Sequence, residues 1–98
     1  MAAEVDIGEL ITNSPDIRGG RARVAGTGIT VMRIAGWHKL GFSPEEIALK
    51  TGLSLAEVHA ALAYYHVNRV AIDVDLDDEA AEYDRLSRRP IQLKDQER

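Results

Sequence analysis

Two stretches, Phe42-Ser43-Pro44-Glu45-Glu46-Ile47 and Leu53-Ser54-Leu55-Ala56-Glu57-Val58, decide the fold because they carry the same helix-start signal. In each, a serine hydroxyl can accept a hydrogen bond from an amide of the first helical turn, and a glutamate three residues later can reach back to the serine amide. Pro44 suits a first helical position, and Gly52 suits a left-handed helix end. The two stretches therefore predict a short helix from Pro44 to about Thr51, a tight turn and a longer helix, which is a helix-turn-helix pattern.

The sequence before these stretches predicts a further helix and a small β-hairpin. Thr30 can cap a helix that has one broad apolar face and ends at Gly41. Short extended segments at 10–12 and 22–25 are separated by turn-forming residues at 13–16 and 19–20. We therefore expect a β-hairpin or arm ahead of the first helix.

The sequence after Asn68 fits two kinds of secondary structure. Alternating apolar and polar residues from Val70 to Leu76 would suit a strand, whereas a second set falls at helical spacing. That second set is Ile72, Leu76, Ala80, Tyr83 and Leu86. We favour a helix at least from Asp77 onward, closed by Pro90 and followed by a polar tail.

Together these features predict a mainly α protein with a helix-turn-helix core of three helices. Residues 1–29 would form the β-arm, residues 30–67 the core, and residues 68–98 an acidic C-terminal helix and tail. With 98 residues the chain is one domain of modest predicted stability, which a homodimer would improve.

Charge is distributed unevenly along the chain, whose formal net charge is −4. Five cations and no acid lie between residues 17 and 44: Arg18, Arg21, Arg23, Arg33 and Lys39. Seven acids and no base lie between residues 73 and 84. The chain therefore joins a basic N-terminal surface to an acidic C-terminal segment.

Several function classes find no support in the sequence. The chain has no cysteine, which excludes disulfides and thiol catalysis, and the glycine pairs lack the spacing of phosphate-binding loops. The three histidines, His38, His59 and His66, do not predict a metal site or a catalytic triad, and we expect His38 to be buried and hydrogen-bonded. No segment predicts a signal peptide or a membrane span. We expect a cytoplasmic protein that is not an enzyme, holds no cofactor and binds no membrane.

Three ordered motifs resemble a known family, domain of unknown function 433. They are Ile11-Thr12-Asn13-Ser14-Pro15-Asp16-Ile17-Arg18-Gly19-Gly20-Arg21, then Val24-Ala25-Gly26-Thr27-Gly28-Ile29-Thr30-Val31, then Gly41-Phe42-Ser43-Pro44-Glu45-Glu46-Ile47-Ala48. The resemblance covers roughly residues 10–66. Members of that family are similar to homeodomain-like helix-turn-helix proteins, and many resemble antitoxins that pair with small PIN-like ribonuclease toxins.

The resemblance implies the antitoxin of a type II toxin–antitoxin pair, which would bind operator DNA as a dimer and neutralise the toxin. The predicted DNA contacts are Arg18, Arg21, Arg23, Arg33, Lys39 and His59. The predicted toxin contacts are Ile72, Asp73, Val74, Asp75, Leu76 and Tyr83. The alternative is a helix-turn-helix module for protein interaction or dimerisation that binds no DNA.

The predicted recognition helix would be a weak reader of bases. Its first turns expose Ala56, His59, Ala60 and Ala63, and among these only His59 offers a donor to a base edge. Binding through DNA shape and backbone is therefore more plausible than a strong base code.

Overall fold

The computed structural model describes residues 4–95 and is mainly helical, with a short N-terminal hairpin. The hairpin pairs β1 (Ile11–Thr12) with β2 (Arg23–Val24) antiparallel, with Ile11 opposite Val24. The four helices are α1 (Val31–Lys39), α2 (Pro44–Thr51), α3 (Leu55–Val67) and α4 (Arg69–Asp95). Two single 3-10 turns, Ile7–Leu10 and Arg18–Gly20, flank the strands. The predicted fold class is thereby confirmed.

Both predicted helix starts are present as capping boxes. The amide of Glu46 donates to Ser43 Oγ at 3.1 Å, and the amide of Ser43 donates to Glu46 Oε1 at 2.8 Å. Ser54 and Glu57 repeat this arrangement at the same two distances. Gly52 ends α2 with φ of 76°, a backbone conformation that costs a glycine little. These local bonds fix where α2 and α3 begin and where α2 ends.

The core lies between the hairpin and the first three helices. Its largest fully buried side chains come from every element of that unit: Val24, Val31, Ile34, Ile47, Val58 and Tyr65. Because α1, α2 and α3 each contribute one apolar face to the same cluster, the three helices form a single packing unit. The hairpin closes one side of it through Val24.

Helix α4 begins directly after Asn68, so the strand interpretation of residues 70–76 is wrong. Ile72 is buried and Leu76 half-buried, whereas Val70 and Val74 are 81% and 51% exposed. In a strand, Val74 would share a face with Ile72 and Leu76, so its exposure between two packed residues is the pattern of a helix face. Every residue from Asp77 to Ser87 is exposed, so the helix projects from the core after two turns.

The prediction that Pro90 closes this helix is also wrong, because α4 continues to Asp95. A proline removes one backbone donor and costs roughly 3 kcal/mol in a helix interior relative to alanine. That penalty weakens a long helix without ending it, and the predicted polar tail after Pro90 is helical as far as Asp95.

Candidate interaction surfaces

Arg18 is held across the loop that joins the hairpin to α1. Its backbone has a positive φ of 51°, and its Nε donates to the carbonyl of Gly28 at 3.0 Å. A Cβ at position 28 would lie 3.1 Å from Arg18 Nη2, so Gly28 leaves room for the guanidinium. The side chain remains exposed at the surface.

Arg23 is a structural residue, and its predicted contact with DNA is wrong. The residue is only 8% exposed, with Nη1 donating to the Thr27 carbonyl at 3.1 Å and Nη2 donating to Ser14 Oγ at 3.3 Å. The guanidinium thus ties three parts of the N-terminal segment together. A phosphate could reach it only if the hairpin opened.

A broad open groove runs between α4 and the surface formed by the hairpin loops and α1. One wall is basic and includes four of the predicted DNA contacts together with a residue that sequence analysis missed: Arg18, Arg21, Arg33, Lys39 and Lys50. Lys50 lies in the last turn of α2, and only the packing of α2 beside α1 brings it here. The other wall is α4, which contributes Asp77 and Glu79.

The floor of this groove is apolar. Met32, Trp37 and Leu40 from α1 face Leu76, Ala80 and Tyr83 from α4. The guanidinium of Arg33 lies 5.4 Å from the centre of the Trp37 ring, a cation–π distance. Leu40 is 76% exposed and Tyr83 is 73% exposed, so this floor is open to solvent along much of its length.

Asp73 anchors the first turns of α4 to the core. Its Oδ1 accepts from Tyr65 Oη at 2.7 Å and from Lys39 Nζ at 3.0 Å, and Arg69 Nε lies 3.8 Å from Oδ2. The hydrogen bonds from Tyr65 and then Lys39 lower the pKa of the Asp73 carboxyl. Burial, followed by the bond to Asp73, raises the pKa of Tyr65. Asp73 therefore fixes the direction in which α4 leaves the core.

The predicted toxin contacts divide between the two sides of α4. Ile72 belongs to the core, Asp73 is engaged in these bonds, and Leu76 packs toward Gly36, so a direct contact with a partner is wrong for buried Ile72. Val74 and Tyr83 are exposed, and Asp75 is half-buried. Val74 and Tyr83 lie on different faces of the helix.

The predicted recognition helix, α3, carries no lysine or arginine. His59 is exposed as predicted, but it does not line the basic groove, and Ala60 is 7% exposed, so its predicted exposure is wrong. Leu55 and Val67 are exposed apolar residues near its ends. The surface of α3 is thus mostly apolar and uncharged.

His38 is half-buried beside two aromatic rings. Its ring centre lies 6.3 Å from that of Tyr65 and 5.8 Å from that of His66, both edge-on. In the part of the chain that the structure describes, the His38 side chain makes these ring contacts and no hydrogen bond, so the expected buried, hydrogen-bonded histidine is wrong. Among residues 4–87, whose side chains the structure describes, no three metal-ligating side chains converge. No helix within the described range has the length and apolar character needed to cross a membrane.

Comparison with known proteins identifies relatives of the hairpin and the helical core. The sequence profile of the family described as "Protein of unknown function (DUF433)" matches residues 11–65. The fold is similar to the crystal structure of a DUF433 member protein from Anabaena variabilis ATCC 29413, with a TM-score of 0.66 and 28% identity. That similarity covers 70% of this chain and 69% of the other. No curated protein matches the sequence. Because the profile spans more than half of the chain, this protein belongs to the DUF433 family.

Proposed function

We propose that this protein is the antitoxin of a type II toxin–antitoxin pair and neutralises a PIN-like ribonuclease through α4. The observation that carries the proposal is the projection of α4, whose residues from Asp77 to Ser87 are all exposed. A long helix that leaves its own core after two turns presents its surface to a partner. Six acids from Asp75 to Asp84 give that surface the charge that a cationic ribonuclease surface would attract.

The outer face of α4 suits this contact best. Val70 and Val74 are 81% and 51% exposed, and Ala81 lies seven residues after Val74 on the same side of the helix. Asp78, four residues after Val74 and three before Ala81, lies beside this apolar line. The acids can steer association, and the apolar residues can stabilise the docked complex once water has left the contact.

The same proposal includes binding of operator DNA through the exposed residues Arg18, Arg21 and Arg33. These cations line one wall of the groove. Contacts to DNA phosphates require a positive charge within reach of the backbone and do not depend on the base sequence. The absence of lysine and arginine from α3 favours contact through the DNA backbone and shape. It also supports the second candidate, a helix-turn-helix module that binds protein and not DNA.

Neutralisation can be tested by co-expression with the PIN-like ribonuclease that the proposal expects beside this protein's gene. The native chain should restore growth, whereas the double variant Val74→Asp with Asp78→Lys should lose most of that rescue. Leu49→Glu is the matched control, because Leu49 is 86% exposed on α2, away from α4. Loss of rescue in the control as well, or a neighbouring gene of another kind, would contradict the proposal.

DNA binding can be tested by titrating the DNA upstream of the gene at several salt concentrations. Replacing Arg21 and Arg33 with alanine should weaken binding to all sequences and flatten the salt dependence by about 0.9 log unit per lost phosphate contact. Arg85→Ala, which removes a cation from α4, should change neither. If the native protein binds no DNA, alone or with its toxin, the protein-interaction module becomes the better proposal.

A further inference from the structure

The groove between α1 and α4 has more positive than negative charge. Five cations line it against two carboxylates, Asp77 and Glu79. Lys39 pairs with Asp73, but in the described part of the chain none of Arg18, Arg21, Arg33 and Lys50 forms an ion pair with a carboxylate. Among the residues that the structure describes, these four cations therefore face solvent without an anionic partner, above the apolar floor formed by Trp37, Leu40 and their neighbours.

The face of α4 that turns toward this groove continues beyond the core. Ile72 and Leu76 pack inside the molecule, and Ala80, Tyr83 and Leu86 follow on the same side at spacings of four, three and three. Tyr83 is 73% exposed and Leu86 is 42% exposed. A helix of this kind is marginal in water unless its apolar face is packed. Among the described residues, the apolar inner face of α4 beyond Leu76 therefore has no packing partner, and it borders the groove whose four cations have no paired carboxylate.

From these two vacant surfaces we infer that the protein forms a symmetric dimer in which each copy lays the acidic stretch of its α4 in the groove of the other. Each copy supplies one groove and one helix, which is the arrangement of a two-fold interface. Tyr83 and Leu86 of one copy cover Trp37 and Leu40 of its partner. The acids around them, which include Asp77 and Glu79, lie near Arg21 and Arg33 of the partner.

The chain cannot satisfy these surfaces by folding α4 back on itself. Asp73 is bonded to Tyr65 and Lys39, and Leu76 lies 3.6 Å from the position that a Cβ on Gly36 would take. These contacts fix the base of α4, so its exposed part lines the groove without closing over the basic wall. About 28 Å of helix beyond the core is available to reach a second molecule, since the 19 residues from Asp77 to Asp95 rise 1.5 Å each.

The apolar floor of the groove suits an acidic amphipathic helix better than nucleic acid, and a helix seated there would cover Arg21 and Arg33 in place of the operator DNA proposed above. Duplex DNA would leave Leu40 and Trp37 without an apolar contact. The acidic stretch of α4 offers carboxylates to the cations and a tyrosine and a leucine to the floor, which is the helix-in-groove mode of recognition. The inference does not rest on the antitoxin proposal, since the toxin contacts argued above lie on the outer face of α4.

The first test measures the mass of the full chain in solution by sedimentation equilibrium. The native protein should be a dimer at micromolar concentrations, and Tyr83→Glu should raise the dimer dissociation constant at least tenfold. Leu49→Glu, which also introduces an acid at an exposed apolar position but outside the groove, should leave it unchanged. Circular dichroism and thermal unfolding should show that the Tyr83 variant retains the folded core.

The second test exchanges charges between the two surfaces. A variant with Arg21→Glu and Arg33→Glu should dimerise weakly, as should a variant with Asp77→Lys and Glu79→Lys. An equimolar mixture should form a heterodimer that binds more tightly than either homodimer, because each groove then meets a helix of opposite charge. A purely structural effect of the substitutions would not be restored by mixing.

Three outcomes would overturn the inference: a native chain that stays monomeric, a Tyr83→Glu variant that dimerises like the control, or a charge-exchanged mixture with no gain in affinity. If the Arg21 and Arg33 variant remains dimeric and loses only DNA binding, the basic wall belongs to DNA. Growth rescue measured on the same variants separates this result from the antitoxin proposal, because a monomeric Tyr83→Glu chain with an intact outer face should still neutralise the toxin.

Discussion

The helical core and the projecting part of α4 have similar apolar spacing in sequence but opposite environments in the structure. In the core, Val58, Leu62 and Tyr65 of α3 recur at helical intervals and are buried. In α4, Tyr83 and Leu86 continue the helical spacing from Ile72 and Leu76 and are exposed. An apolar stripe therefore predicts which side of a helix seeks a partner. It does not reveal whether that partner lies within the same chain.

Substitution of a buried isoleucine should reveal this contrast most strongly. Ile47→Ala removes a fully buried side chain and should lower the free energy of unfolding by about 2–5 kcal/mol. Leu49→Ala, two residues away in the same helix but 86% exposed, should cost less than about 0.5 kcal/mol. Urea denaturation of both variants measures the difference. Equal losses would mean that α2 is not packed as described.

Two truncations locate the boundary between the core and the projecting helix. A chain that ends at Asn68 loses Ile72, Leu76 and the bonds of Asp73, and should be less stable by about 2–4 kcal/mol. A chain that ends at Asp78 keeps these contacts and should unfold within about 1 kcal/mol of the full chain. Because dimerisation adds concentration-dependent stability, both should be compared with Tyr83→Glu at equal concentration. If the two truncations are equally stable, the first turns of α4 add nothing to the core.

Removal of single caps should have a smaller effect that again differs between the two regions. Ser43→Ala and Ser54→Ala each leave a first-turn amide without its side-chain acceptor and should cost about 1 kcal/mol. Ser87→Ala is the control, because Ser87 lies within exposed α4 and donates only to the Asp84 carbonyl at 3.2 Å. Thermal unfolding should leave that variant unchanged. Unchanged midpoints in both capping variants would remove the basis for the helix-turn-helix assignment.

The smallest expected effect is a pH dependence at the base of α4. Since the folded-state pKa of Asp73 is lowered, its carboxylate stabilises the fold above the ordinary pKa of about 4 and loses that contribution as pH falls through the folded value. Asp73→Asn should therefore lose less stability than the native chain between about pH 5 and pH 2. Melting temperatures across that range provide the measurement. Parallel curves for the two proteins would show that Asp73 does not anchor the helix.

The basic residues show how far sequence reasoning could go toward the candidate site. An acid-free stretch of sequence pointed to Arg18, Arg21, Arg33 and Lys39, and the structure brings these four to one groove. The acid-free stretch by itself could not distinguish these exposed cations from Arg23, whose burial depends on its bonds to Ser14 and Thr27 on either side of the strand. It also missed Lys50, which lies outside that stretch and reaches the groove through helix packing.

The local elements of this protein follow from its sequence, because they depend on groups a few residues apart. The serine and glutamate of each capping box are three residues apart, and Gly52 ends α2 through its own backbone conformation. The environment of α4 depends on groups far apart in the chain, such as Lys39 and Asp73, which meet only after α1 and α3 have packed. The sequence alone therefore determined where the first three helices start and stop. Only the tertiary structure decided which face of α4 is covered, because that depends on the direction in which the folded core holds it.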